Sequence, residues 1–135
     1  MRRNDKRRIF ELKFSQWIGA TIKFYTEILG MDRSSCQPPT GGPVRQSLHF
    51  GLQKINLHDA ASPFIPHAKN PVAGSVDLCF ITTQPLADWQ THFAYHSIDI
   101  EDGPVHKTGA NGPLLSIYIR DPDYNLIEIS NYIAR

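Results

Sequence analysis

The elements predicted along this chain occur in the same order in its first and second halves. Loops rich in proline and glycine at residues 38–43, 62–74 and 108–113 separate segments with clear hydrophobic periods. Between the loops lie the predicted elements: a helix at 18–29, strands at 46–50 and 54–58, a strand at 76–82, a helix at 86–96, a strand at 98–100, and a hairpin formed by 114–120 and 125–132. The order strand, helix, strand, hairpin therefore repeats after roughly 60 residues.

A repeat of two βαβββ units predicts an α+β fold with mostly antiparallel sheets and with helices on one face of each sheet. We expect a single domain over residues 1–135, made of module one at about 9–60 and module two at about 75–133, with a basic tail at 1–8. The other face of each sheet, which is polar, is then left to line a cup-shaped cleft.

Composition excludes several classes of protein. Hydrophobic residues make up 41% of the chain, charged residues 20%, and the net charge is +1, which argues against a disordered chain and against nucleic acid or membrane lipid as a partner. The tail lacks the apolar segment of a secretory signal and is read as solvated. Two cysteines do not make a disulfide framework, so we expect reduced thiols and a cytoplasmic location.

Polar residues on two predicted strands suggest a metal site. Ile55 and Leu57 alternate with Asn56 and His58, and Ile127 and Ile129 alternate with Glu128, so His58 and Glu128 stand opposite apolar pairs at matching places in the two halves. Asp77 opens the first strand of module two. One histidine and two carboxylates suit a divalent metal. The alternative is a solvated histidine and a glutamate paired with a lysine.

Two motifs resemble those of a known superfamily. Residues 23–31, KFYTEILGM, resemble the "FYxxxLGM" helix end of the vicinal oxygen chelate superfamily, and residues 120–128, RDPDYNLIE, resemble its "RDPDxNxxE" hairpin. The segments 54–58, 74–81 and 103–112 resemble one branch, the glyoxalase domain-containing protein 5-like group. The resemblance extends from about residue 20 to residue 133.

This resemblance implies a metal-binding cup built by two βαβββ modules, in a homodimer. By match to the motifs, His58 and Glu128 are last-strand metal ligands, Asp77 is the first-strand ligand of module two, and Glu128 is also the catalytic base candidate. In glyoxalase I and related enzymes the metal polarises a substrate oxygen. The ion is a divalent one, with nickel, zinc, manganese and iron left open.

The first strand departs from the family pattern. Counting back without a gap from residues 20–21 in the first helix places Phe10 where the family has a histidine. This register points aromatic residues into the polar cup. A register slipped by one residue reverses both faces and brings Glu11 into the cup as a fourth ligand. We prefer the slipped register; the alternative is a degenerate strand with an incomplete site.

Two functions remain open at this point. The first is a metal-dependent, glyoxalase-like lyase or isomerase acting on a small oxygenated substrate, with Lys107 and Thr108 in contact with that small-molecule substrate at the mouth of the cup. The second is a metal-poor module that sequesters a small molecule, as bleomycin resistance proteins do. The first-strand ligand discriminates between them, because a carboxylate at Glu11 favours an enzyme and an aromatic ring at Phe10 favours binding.

Overall fold

The computed structural model describes the backbone of residues 9–15 and 18–133, and the side chains of residues 18–133. The strands are β1 (Ile9–Ser15), β2 (Asp32–Cys36), β3 (Arg45–Phe50), β4 (Gln53–Asp59), β5 (Asp77–Ile81), β6 (Asp102–Gly109), β7 (Gly112–Arg120) and β8 (Leu126–Tyr132). The helices are α1 (Ile18–Lys23), which continues as a π-helical turn over Phe24–Ile28, and α2 (Leu86–Tyr95). In the part of the chain described, no helix is long and apolar enough to span a membrane.

The strands form two four-stranded sheets with one topology. Sheet A has the order β1-β4-β3-β2 and sheet B the order β5-β8-β7-β6. The first and last strands of each module pair in parallel, β1 with β4 and β5 with β8, and the remaining pairs are antiparallel. The predicted α+β fold of two βαβββ modules is confirmed.

The two modules share one hydrophobic core. Leu48, Ile55 and Leu57 of sheet A and the apolar residues of sheet B lie in the same buried cluster as the helices. Phe50 and Phe80 meet edge to face with ring centroids 5.3 Å apart, which joins one sheet directly to the other. The alternation of apolar residues on the strands therefore directs one face of each sheet to the core, as the sequence predicts.

Two strands differ from the prediction. β2 was not predicted, because its five residues are polar or small and all are exposed, so no hydrophobic period marks it. The predicted strand at 98–100 is wrong, and β6 lies instead at Asp102–Gly109, a segment for which no strand was predicted and which runs into the predicted loop at 108–113. An edge strand tolerates proline, and the register of β6 against β7 shifts between Asp102 and Val105.

The turn between β7 and β8 is organised by the buried carboxylate of Asp121. Its Oδ1 accepts hydrogen bonds from the backbone N–H groups of Asp123 and Asn125, both at 2.9 Å. Its Oδ2 accepts from the Tyr25 hydroxyl at 2.8 Å and from Asn125 Nδ2 at 2.9 Å. Asn125 Oδ1 in turn accepts from the Val76 N–H at 2.8 Å. One carboxylate thus connects the first helical segment, the β-turn and, through Asn125, the start of β5.

We predict that Tyr25→Phe lowers the free energy of unfolding by about 1–3 kcal/mol, because a buried hydrogen bond to a charged group is lost. The matched control is Tyr124→Phe, since Tyr124 is 76% exposed and Tyr25 is fully buried. Urea denaturation midpoints measure both. Equal midpoints for the two variants would contradict the assigned role of the Tyr25 hydroxyl.

The stability difference between the parent protein and the Tyr25→Phe variant should depend on pH. Burial, and then the Asp121 charge, raise the pKa of Tyr25 well above its ordinary value. The folded protein therefore keeps this phenol protonated at a pH where the unfolded chain ionises it, so stability falls as the pH rises above about 10. Tyr25→Phe should lose less stability than the parent protein between neutral and alkaline pH.

Candidate functional site

Glu128 lies on the open face of sheet B, where two serines hold its carboxylate. Ser116 Oγ donates a hydrogen bond to Glu128 Oε2 at 2.7 Å, and Ser130 Oγ lies 3.1 Å from the same oxygen. The two hydroxyl oxygens are 2.7 Å apart, so the single proton of Ser130 is donated either to Glu128 or to Ser116. Both serines are fully buried and Glu128 is half-buried. The carboxylate is consequently held in one orientation on an otherwise accessible surface.

Asp77 and Cys79 of β5 share this face with Glu128. Cys79 pairs with Glu128 and Asp77 with Leu126 in the parallel ladder, and both β5 side chains are exposed. Cys79 Sγ lies 3.5 Å from Ser130 Oγ. Partial desolvation of the thiol by its neighbours, together with the charges of Glu128 and Asp77, raises the pKa of Cys79, although its hydrogen bond to Ser130 acts in the opposite direction. The thiol therefore stays protonated at neutral pH.

A tyrosine and a lysine extend the polar face of sheet B. Tyr118 pairs with Glu128 across β7 and β8. Burial, and then the negative charge and hydrogen bonding of Glu128, raise the pKa of Tyr118 to about 12. Lys107 Nζ lies 5.5 Å from the centre of the Tyr118 ring, a cation–π distance. Thr108 is the next residue of β6, so its side chain alternates onto the opposite face. Of the two predicted substrate contacts, Lys107 is the one that shares a face with Glu128.

His58 lies on sheet A in different surroundings. Its side chain is only 3% exposed, and its ring stacks on Phe64 with centroids 3.9 Å apart. The guanidinium of Arg45 lies 4.3 Å from the centre of the Phe64 ring, and the His67 ring lies 6.5 Å from that of His58. Phe64 and His67 belong to the linker between the modules, so this linker folds back over the polar face of sheet A.

The backbone register places Glu11 at a position equivalent to Asp77. Glu11 pairs with Asn56, two residues before His58, as Asp77 pairs with Leu126, two residues before Glu128. The pairing of β1 with β4 then shifts between Glu11 and Lys13, which interrupts the regular backbone alternation of the strand. The side chains of Phe10 and Glu11 lie outside the described residues, and the choice between them as a ligand stays a prediction.

The predicted metal ligands do not form one group within the described residues of a single chain. No three histidine, cysteine, aspartate or glutamate side chains among residues 18–133 are placed to hold one ion. Asp77 and Glu128 share sheet B, whereas His58 is on sheet A. The donor types suit a borderline divalent ion, but one chain does not bring these described donors together.

Several residues of the site were not predicted. Ser116 and Tyr118 alternate with the buried Ile117 and Ile119 along β7, so the same polar-face reasoning applied to that strand would have found them. Phe64 and Arg45 could not be found in this way. Their contact with His58 depends on the path of the linker, which carries no periodic signal.

Comparison with known proteins identifies relatives of the whole domain. The family described as "Glyoxalase/Bleomycin resistance protein/Dioxygenase superfamily" matches residues 14–129. The "Virulence protein STM3117" of Salmonella typhimurium is 48% identical over 116 residues, covering 86% of this chain and 77% of that protein. The "Glyoxalase domain-containing protein RDO1" of Mycosarcoma maydis is 51% identical over 112 residues, covering 83% of this chain. This chain spans only 60% of the fungal protein's length.

Solved structures agree in fold over nearly the full chain. The crystal structure of the Salmonella virulence protein superposes with a TM-score of 0.83 at 46% identity, covering 96% of this chain and 98% of that one. A protein from the mobile metagenome of V. pseudocholerae superposes with a TM-score of 0.85 at 41% identity, covering 99% of both chains. The finer resemblance to the glyoxalase domain-containing protein 5-like group stays a prediction.

We predict that Glu128→Gln lowers the pKa of Tyr118 from about 12 toward its ordinary value, because a nearby negative charge is removed. Alkaline titration followed by ultraviolet absorbance of the phenolate measures the change. The chain has five tyrosines, so the same titration in a Tyr118→Phe background serves as the control and should show no effect of the second substitution. An unchanged Tyr118 titration would mean that the carboxylate does not act on the phenol.

Proposed function

From the premise that this chain belongs to the Glyoxalase/Bleomycin resistance protein/Dioxygenase superfamily, we propose that it is a metal-dependent lyase or isomerase acting on a small oxygenated substrate. The observation that carries the proposal is the carboxylate of Glu128, held by Ser116 and Ser130 on an open sheet face. A carboxylate fixed in one orientation beside an accessible surface is suited to bind a metal ion or to move a proton.

We further propose that the site is completed in a homodimer. His58 and Glu128 occupy equivalent strands of separate sheets, and each stands on the sheet face opposite the core. A second chain related by a twofold axis would lay its sheet A over this sheet B and would bring its own His58 to Glu128. The exposure of Asp77 and of every residue of β2 supports this arrangement, since these surfaces are available to a partner.

In such a dimer, His58 and Glu128 would be metal ligands, with Asp77 and Glu11 as the candidates for the remaining positions. The equivalence of Glu11 and Asp77 in the two ladders supports their common role. One imidazole with carboxylates is a donor set that nickel, zinc, manganese and iron accept. When bound, the ion supplies Lewis-acid polarisation of a substrate oxygen.

The residues of the chain itself account for the proton chemistry. Glu128 would take a proton from a carbon of the substrate and return it to a neighbouring atom of the same molecule, which is an isomerisation. Ser116 and Ser130 keep the carboxylate aligned for the transfer. Lys107, 5.5 Å from the Tyr118 ring on the same face, places a positive charge where an anionic part of a substrate would lie.

A second candidate function is a metal-poor module that sequesters a planar small molecule. The observation that favours it is the stack of Arg45, Phe64 and His58, which puts flat π surfaces on the polar face of sheet A. A planar aromatic ligand could stack on the Phe64 ring in the place of Arg45. Absence of divalent metal binding, together with saturable binding of planar aromatics that Phe64→Ala abolishes, would favour this function over the enzyme.

We predict a homodimer in solution at micromolar concentration, measured by light scattering with divalent metal present. Substitution of an exposed residue of the proposed interface, Cys79→Arg, should shift the protein toward the monomer, because it adds bulk and charge to the face that the partner covers. Asp88→Arg on α2, which adds a similar side chain at an exposed position away from that face, should leave the mass unchanged. A strictly monomeric parent protein would exclude a site shared between chains.

We also predict that nickel, zinc, manganese or iron(II) raises the melting temperature of protein stripped with a chelator, because the folded state binds the ion preferentially. Glu128→Gln and His58→Ala should each reduce the rise, and Asp77→Asn should reduce it less. His106→Ala and Glu27→Gln are the matched controls, since both side chains are exposed and neither is placed in the site. Binding of each ion by calorimetry completes the test; affinities weaker than about millimolar would end the enzyme proposal.

A further inference from the structure

Two histidines lie at the C-terminal end of α2, away from the polar faces of the sheets. His92 lies in the last turn of α2 and His96 is the residue that caps its C-terminal end, and the backbone N–H of His96 donates to the His92 carbonyl at 3.2 Å. Their rings lie with centroids 4.6 Å apart, and both side chains are half-buried. Residues four apart on a helix are neighbours on its surface, and paired histidines at this spacing bind zinc in other helices.

The ring of His92 is fixed by a hydrogen bond to the backbone of the other module. His92 Nε2 lies 2.8 Å from the carbonyl oxygen of Ile28. A carbonyl only accepts, so Nε2 carries the proton and, in the neutral ring, Nδ1 carries the lone pair. This is the arrangement of a metal-ligating histidine, whose second nitrogen donates to a backbone carbonyl or carboxylate and thereby sets the tautomer and ring orientation.

We propose that His92 and His96 form a binding site for a borderline divalent cation such as copper(II), nickel(II) or zinc(II), separate from the proposed site at Glu128. With metal–nitrogen distances of about 2.0–2.1 Å, two imidazoles on one ion have ring centres roughly 4.5–5 Å apart. The observed separation of 4.6 Å lies within this range. His92 contributes Nδ1, and the described residues offer no third side-chain ligand, so water fills the other positions.

A tryptophan beside the pair provides a direct readout. The ring of Trp89 lies 6.0 Å from that of His92, within the range over which a paramagnetic ion quenches indole fluorescence. The chain has two tryptophans, so Trp17→Phe leaves Trp89 as the single emitter. Titration of this otherwise intact protein with copper(II) or nickel(II) should give saturable quenching, which reports only the ion bound beside Trp89.

Substitutions in the histidine pair distinguish metal binding there from metal binding at Glu128. His96→Ala removes one ligand without touching the bond to Ile28, and it should weaken the apparent affinity by at least tenfold. His92→Gln should do the same, with a side-chain amide that can still donate to that carbonyl. The exposed His106 serves as the control, and His106→Ala should bind as the parent does. The titration is repeated in a Glu128→Gln background, in which the proposed site on sheet B is weakened. Saturable quenching should persist there and should still be lost with His96→Ala, so failure of the proposed enzyme would not affect this result.

Two outcomes would overturn the proposal. One is quenching that rises linearly with copper or nickel and does not saturate, because that is collisional and needs no site. The other is the same affinity in His96→Ala as in the parent, which would leave His92 with the role of satisfying the Ile28 carbonyl alone. Competition with diamagnetic zinc should restore the fluorescence, and its failure to do so would exclude zinc as an occupant.

Discussion

The carboxylate of Asp121 is the interaction on which the geometry of sheet B depends. A buried charge is stable only when its lone pairs are satisfied, and here two backbone N–H groups, one amide and one phenol serve that purpose. The phenol belongs to Tyr25 in the helical segment of module one, whereas Asp121 belongs to the turn of module two. The two modules are therefore joined by a polar contact as well as by the apolar core.

The consequences of that contact reach the candidate site through Asn125. Asn125 accepts the N–H of Val76, and the Leu126 N–H donates to the Val76 carbonyl at 3.1 Å, which sets the register of β5 against β8. That register places Cys79 opposite Glu128. The Cβ that an alanine would add at Gly74 would lie 2.6 Å from the Asp123 carbonyl oxygen, so the linker closes on this turn at a point where only glycine fits. A turn that contacts no substrate in the proposal thus positions the residues that do.

The division of polar groups between the sheets has a functional consequence. On sheet B, Glu128 is oriented by buried serines and faces an accessible surface; on sheet A, His58 is covered by Phe64 from the linker. In the proposed dimer the two faces meet, and Phe64 must then either line the cleft or move aside. The two candidate functions require different positions of Phe64. For the enzyme, Phe64 moves aside and exposes His58 to a metal; for the binding module, Phe64 stays in place and its ring stacks on a planar ligand.

The chain's own pattern determined the fold and the polar faces. Alternation of Ile127 and Ile129 with Glu128, and the repeated order of elements, predict two βαβββ modules, since the apolar face of each strand must be buried. The local hydrophobic pattern did not predict β2 and placed β6 wrongly. Both are edge strands, which form by hydrogen bonding to a neighbouring strand and do not require a row of hydrophobic residues. Only the tertiary structure decided the register shift in β1, the serine contacts of Glu128 and the stack of Phe64 on His58. Each depends on where a distant segment of chain packs, and sequence periodicity carries no information about that position.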